Sequence, residues 1–355
     1  LRDLERLVGL LRELRGGSTL LGYRAAQPAP LFGEIRGLED LPLSVSDVQG
    51  PGYYRLVDGY RFRHTYGSPK GYLLPPEHAI LVVKPSYEVV EPERESGGVV
   101  FFGIKPCDLW AVEVLDRILL GKHPVYTARR RGVQAVIVEE CLEPGETCFC
   151  ALMGYGPVAS GGYDLAYARL DRDRLVFKPS SKLGWELVER LSLREAGDEV
   201  VEEYLDMVER AVDAMKRRVP SLERATSAFK RLIGSVEFWE KVSERCVGCA
   251  NCNYVCPTCF CTEIVDRVES DHATRVATWT GCLSYTYGLV AGGHFRRELY
   301  MRYRHFVLHK FLFYPKQIGG LVGCVGCGRC ITWCPLGVDL REALKRAVEV
   351  AGLEG

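Results

Sequence analysis

Fifteen cysteines stand in this 355-residue chain, and eight of them fall into two runs of identical spacing. These are Cys246-x2-Cys249-x2-Cys252-x3-Cys256-Pro257 and Cys324-x2-Cys327-x2-Cys330-x3-Cys334-Pro335. Three thiolates within seven residues let one short loop wrap a 4Fe-4S cubane and aim three sulfurs at three irons, with the fourth sulfur just beyond. Structural zinc takes two separated ligand pairs instead, and these runs do not divide that way. A disulfide framework is disfavoured as well, because the cysteine total is odd and closely spaced C-x2-C cysteines rarely bridge one another in a scaffold.

In two-cluster ferredoxins the fourth cysteine of each run serves the other cluster. The expectation is therefore that Cys246, Cys249 and Cys252 pair with Cys334, and that Cys324, Cys327 and Cys330 pair with Cys256. Four further cysteines, Cys107, Cys141, Cys148 and Cys150, are read as holding a third cluster, against the alternative of inert buried packing. Cys259, Cys261 and Cys282 are weaker candidates. Thr258-Cys259-Phe260-Cys261 repeats Thr147-Cys148-Phe149-Cys150 letter for letter, so the two C-x-C pairs could also face each other and share one cluster.

The elements that must position these thiols are legible in part. A helix is expected from Leu1 to about Leu14, followed by short strands that include Tyr53–Val57 and Ala79–Val83. Val99–Ile104 is an apolar run of strand length, and Val112, Leu115, Ile118 and Leu119 then recur at helical spacing, with Asp108 read as the N-cap. A second buried strand, Val133–Val138, completes a βαβ unit with parallel strands. Ligands of open α/β sheets sit off the carboxyl ends of the strands, where Cys107 and the Cys141–Cys150 loop lie. Gly154-Tyr155-Gly156-Pro157 mimics a dinucleotide fingerprint but follows a cysteine loop rather than a strand, and is discounted. A charged helix over Asp198–Val219 closes the first domain, and helices near Leu222–Ile233 and Val236–Arg245 lead into the first cysteine run. The fold class expected is an α/β (or α+β) N-terminal domain, residues 1–220. A mainly helical ferredoxin-type dicluster domain, residues 221–355, follows, with a long insertion between its two cluster motifs. Arg296, Arg297, Arg302, Arg304, His305, His309 and Lys310, interleaved with Tyr300, Tyr303, Phe306 and Phe311, read as a solvated helix face. The functional alternatives are a docking surface or support for the negative charge of a thiolate-ligated cluster.

Composition excludes several classes. Lys+Arg and Asp+Glu are 46 each, which argues against a nucleic-acid binder running on bulk positive charge. No apolar run reaches membrane-span length, and no secretory leader is read in the residues that begin at Leu1, so a cytoplasmic protein with reduced thiols is expected. Asn occurs only at 251 and 253 and Gln only at 27, 49, 134 and 317, a depletion that points to a hot-growing source. No flavin or nicotinamide fingerprint, P-loop or nickel-binding cysteine pairs are found.

Lys105-Pro106-Cys107-Asp108-Leu109, the Glu143–Cys150 stretch, Cys256-Pro257-Thr258-Cys259-Phe260-Cys261, Ala291-Gly292-Gly293-His294 and the two cluster runs carry a resemblance over about residues 99–345. The chain resembles the iron–sulfur β subunit of cytoplasmic sulfhydrogenases, the NAD(P)-linked NiFe hydrogenases, and is similar to the corresponding iron–sulfur component of anaerobic sulfite reductase. The loop after Ala291–His294 departs from the family, in which a longer polar turn precedes the arginines. The resemblance implies a non-catalytic electron-transfer subunit that relays electrons between a flavoprotein NAD(P)H-binding subunit on one side and the hydrogenase small and large subunits on the other. Rival readings are the same relay among sulfite reductase subunits, a self-sufficient thiol or disulfide reductase using the C-x-C pairs, and a non-redox protein with structural clusters.

Overall fold

The computed structural model describes residues 2–14, 16–92 and 97–353; Leu1, where the first helix was expected to begin, lies outside them. The chain opens with α1 (Arg2–Leu14), whose Leu4, Leu7 and Leu11 are buried on one face at helical spacing. Strands β1 (Thr19–Arg24) and β2 (Leu31–Glu34) pair antiparallel, as do β3 (Val45–Gly50) and β4 (Tyr53–Asp58). A short α2 (Lys70–Leu73) precedes β5 (Glu77–Val83) and the two-residue β6 (Val89–Val90).

The expected βαβ unit follows. β7 (Val99–Ile104) is buried at every position, as befits a strand covered on both faces. It runs into α3 (Pro106–Leu119) and α4 (Pro124–Arg131), and the chain returns as β8 (Val133–Glu139), parallel to β7. Asp108 is not the N-cap expected of it. Lys105 occupies that position with extended backbone, Pro106 takes the first helical turn, and Asp108 reaches back to the Lys105 backbone N–H. The early start follows from proline, whose fixed φ suits a first turn that needs no N–H donor.

β9 (Leu165–Arg169) and β10 (Leu175–Pro179) complete a six-stranded sheet in the order β10-β9-β8-β7-β1-β2, parallel through its four central strands. α1 and α5 (Lys182–Arg190) cover one face through Leu7, Leu11, Leu183 and Leu187; α3 and α4 cover the other through Val112, Leu115 and Tyr126. This α/β/α layering places Cys107 and Cys141 beyond the carboxyl ends of adjacent parallel strands.

α6 (Asp198–Lys216) ends three residues short of the expected Val219, and its Met215 packs against the cysteine loop. The helical unit that follows comprises α7 (Leu222–Leu232), α8 (Val236–Ser243), α9 (Asn251–Tyr254), α10 (Leu299–Leu308), α11 (Tyr314–Gln317), α12 (Arg329–Thr332) and α13 (Leu340–Val350). Its core holds Phe229, Trp239 and Phe311, all buried, each contributing about 1.5–3 kcal/mol by leaving water. The insertion is not merely helical. It forms a hairpin, β11 (Thr262–Val268) and β12 (Ala273–Trp279), and β12 pairs with β5 to give a sheet ordered β11-β12-β5-β6. One sheet therefore spans the expected boundary at residue 220. No helix among the described residues is long and apolar enough to cross a membrane.

Candidate metal centres

Both cysteine runs are loops that turn through left-handed backbone. Gly248 and Ala250 adopt φ of 70° and 60° in the first, Gly326 and Gly328 adopt 65° and 77° in the second, and such turns aim successive backbone N–H groups inward. The Gly248 N–H donates to Cys246 Sγ at 3.4 Å, and the Val338 N–H donates to Cys334 Sγ at 3.3 Å. A cavity beside the first loop is walled by Cys246, Cys249, Cys252 and Cys334, with Leu283, Tyr303 and Phe306 behind them. Cys334 thus stands with the first run. Cys256 stands with the second: burial foremost, with neighbouring thiols that include Cys256, pushes the Cys324 thiol up to about 12 against the opposing charge of Lys310, and Cys256 likewise adjoins Cys327 and Cys330. Cys330 also adjoins Cys252, so the two sets are neighbours.

The chemistry of these donors fits an iron–sulfur cluster. Buried thiols crowded against one another resist ionisation; Cys252 and Cys330 are both raised well above the usual thiol range by burial and adjoining thiols. They become thiolates only beside concentrated positive charge, which iron supplies. The spacing is wider than a single zinc ion would draw together. Tetrahedral zinc–sulfur bonds of about 2.3 Å place ligand sulfurs about 3.8 Å apart, whereas no three cysteine sulfurs among the described residues lie within 4.8 Å of one another.

The third set is assembled by the α/β domain. Cys107 sits in the first turn of α3, Cys141 follows β8, Cys148 lies in the loop beyond, and Cys150 opens the short 3-10 helix Cys150–Met153. Burial raises all four; Cys141 reaches about 11 and Cys148 about 12. Cys150 adjoins Cys148 and Cys141, and Cys107 adjoins Cys150. This loop is fastened to the second ferredoxin run. The Phe149 N–H donates to the Gly326 carbonyl at 2.8 Å, and the hydroxyls of Thr147 and Thr332 lie 2.7 Å apart. Gly156, from the discounted dinucleotide-like motif, has its own purpose here: a Cβ on it would lie 2.6 Å from Cys150 Sγ.

The two C-x-C pairs do not face each other, against one of the expected alternatives. Cys148 and Cys150 keep company with Cys141, Cys107 and Cys327, whereas Cys259 and Cys261 adjoin Cys256, Cys282 and Lys310. The basic stretch is a solvated face only in part: Arg297 is exposed and Arg296, Arg302 and Arg304 are half-buried. Tyr303, Phe306, Phe311 and Lys310 are buried, and Lys310 projects from a π-helical segment, His309–Phe313. Its ammonium donates to Cys256 Sγ at 3.2 Å, Cys259 Sγ at 3.4 Å and the Gly323 carbonyl at 3.3 Å. A hydrogen bond with Cys259, and then the charge of Lys310, hold the Cys256 thiol well below its usual range.

Sequence reasoning missed Arg329, inside the second run. It is fully buried, forms a 2.9 Å ion pair with Asp108, and donates to the Thr65 carbonyl and the Tyr23 hydroxyl at 2.7 Å each. Also missed were His64, whose Nε2 lies 3.8 Å from Cys148 Sγ, and Asn253, whose amide donates to Cys259 and Cys282. The only signal for Arg329 was an arginine between two ligand cysteines, a position that reads as exposed.

Two comparisons bear on this geometry. Residues 245–338 match the 4Fe-4S dicluster domain family, the span that carries both runs. Over 294 residues the chain is 34% identical to the sulfhydrogenase 2 subunit beta of Pyrococcus furiosus, covering 81% of this chain and 85% of that protein. With interleaved cysteine sets at its core and this likeness along most of its length, the chain belongs to the sulfhydrogenase beta-subunit family of iron–sulfur, electron-transfer proteins.

Proposed function

We propose that the chain is the iron–sulfur relay of a multisubunit hydrogenase. It passes electrons between a flavoprotein subunit that handles NAD(P)H and a NiFe catalytic module in the cytoplasm. The observation that carries this reading is the contiguity of the cysteine sets: the first run meets the second at Cys252 and Cys330, and the second meets the α/β set at Phe149 and Gly326. Cys246, Cys249, Cys252 and Cys334 hold one 4Fe-4S cluster, Cys324, Cys327, Cys330 and Cys256 a second, and Cys107, Cys141, Cys148 and Cys150 a third. Bound clusters supply reversible one-electron transfer. The protein's own residues supply thiolates, backbone N–H donors to sulfur, a buried Lys310 that offsets negative charge, and apolar walls that exclude water. The domains are taken as residues 1–220 and 221–355, stitched by β5 and β12 and by the Arg329–Asp108 pair.

Cys249 is exposed, with exposed Val247 and Leu336 beside its cavity. An electron partner docks here, where a ligand sulfur reaches the surface. The self-sufficient thiol reductase reading is weakened by the burial of Cys148 and Cys150 and by their raised thiols, since an attacking cysteine needs access and thiolate character. The test is native purification of the tagged full-length chain. Recovery together with nickel and flavin subunits is the expected result. Recovery alone, as a monomer that oxidises NAD(P)H, hydrogen or a thiol unaided, would overturn the relay.

A further inference from the structure

Three cysteines of the insertion are spoken for by none of the sets above, yet the fold gathers them. Cys259 and Cys261 precede β11, and Cys282 follows β12. Thr262 and Trp279 close the hairpin as register partners, and the Thr280 N–H donates to the Cys261 carbonyl at 3.0 Å. The hairpin thereby returns Cys282 to Cys261, its foremost thiol neighbour.

The groups around them are those that accompany sulfur-bound iron. Asn253 is 2% exposed, and its amide nitrogen lies between two of the thiols, 3.6 Å from Cys259 Sγ and 3.4 Å from Cys282 Sγ. The Tyr287 hydroxyl lies 3.8 Å from Cys261 Sγ. Lys310 touches Cys259, and a second buried lysine, Lys70, faces Cys259, Cys256 and Cys261 while its ammonium rests 3.9 Å over the Trp279 ring. Lys310 already answers the Cys256 thiol, but Lys70, whose ammonium donates to the Tyr254 carbonyl at 2.9 Å, has no carboxylate partner among the described residues and is costly to bury. Three neutral thiols do not offset that charge, but a thiolate-ligated cluster does.

We propose that Cys259, Cys261 and Cys282 hold a further iron–sulfur cluster through three thiolates, with Lys310 and Lys70 balancing its charge and Asn253 and Tyr287 donating to its sulfurs. As in the other sets, these three sulfurs do not all lie within 4.8 Å of one another, which leaves room for a multi-iron group. Loading releases the three thiol protons as ferrous and ferric iron enter with sulfide, so the mixed-valence core forms with no further oxidant. The site adjoins the second set through Cys256 and the first through Cys252, so it gives the relay a branch. This builds on the reading of the chain as a cluster carrier but is independent of the third cluster.

The test is iron and acid-labile sulfide analysis, with EPR, of the full-length chain reconstituted anaerobically with ferric and ferrous iron and sulfide. Two variants are compared: Cys259→Ser/Cys261→Ser/Cys282→Ala and Cys107→Ser/Cys148→Ser/Cys150→Ser. The first variant is expected to lose about three or four irons per chain while the dicluster signals persist. The second variant reports on the third cluster separately. Unchanged iron in the first variant overturns the proposal whatever the second shows. Should the first variant lose the dicluster signals as well, Cys261→Ser alone, at the solvent-facing corner of the set, replaces it with the same two outcomes.

Discussion

At the scale of single residues, the buried Arg329–Asp108 pair makes the sharpest claim. Removing one partner of such a pair leaves an uncompensated charge, at a cost of about 3–5 kcal/mol. Arg329→Met is therefore expected to lower stability by that amount in denaturant unfolding, and Arg329→Met/Asp108→Leu should recover most of it. A single variant as stable as the wild type would mean that Asp108 finds another partner. Gly156 carries a local prediction. Its missing Cβ leaves room for Cys150 Sγ, so Gly156→Ala should abolish the signal of the cluster proposed for the α/β domain while the dicluster pair stays intact by EPR. Neither residue could be singled out from the sequence. Arg329 and Asp108 are more than two hundred positions apart, and Gly156 belonged to a motif that looked like a failed nucleotide fingerprint. The two cysteine runs could be singled out because their spacing is that of a loop that wraps a cubane.

Among the elements, α10 and the π-helical turn after it set the electrostatics of the second cysteine set. A π-bulge interrupts a helix at the position where Lys310 must point inward. Lys310→Met should shift the second cluster to a more negative potential in an EPR-monitored redox titration, because a cation touching Cys256 no longer stabilises the reduced state. An unmoved potential would assign Lys310 a purely structural place. The same segment stacks His305 on His309 with ring centroids 5.3 Å apart. Burial first, then neighbouring cations, lowers both to about 4. The unfolded chain therefore binds protons below about pH 6.5 that the folded chain refuses until about pH 4, so stability should fall as pH drops through that window. His305→Gln/His309→Gln should flatten this slope in thermal unfolding between those limits. The βαβ unit was readable here because its apolar runs were long and uninterrupted. The basic-aromatic stretch was misread because charge composition alone does not reveal that the cation's partner is a sulfur about fifty residues earlier.

For the molecule as a whole, the interleaving of the two runs predicts how damage spreads. Cys256→Ser lies in the first run, yet it should perturb the cluster held by Cys324, Cys327 and Cys330, whose signal should broaden or convert while that of the Cys246 set survives. Loss confined to the Cys246 set would show each run to be self-contained. The N-terminal layering and the dicluster unit could both be anticipated, since each rests on local periodicity or spacing. The sheet that joins them could not, because β5 and β12 carry no mutual signature in a single sequence.

That joining sheet also orders events in time. Glu77, at the start of β5, and Arg267, on the outer strand of the hairpin, are bonded across 190 residues of chain. A ribosome must therefore finish most of the polypeptide before β5 acquires its long partner. Until then the strand offers an unpaired edge relieved only by the two residues of β6. Closing so long a loop is slow more than it is costly, and the hairpin that closes it also brings Cys282 to Cys261. Completion of that thiol set thus waits on a hairpin synthesised long after β5, so the nascent α/β layers stand ready well before the chain can take up its full complement of iron.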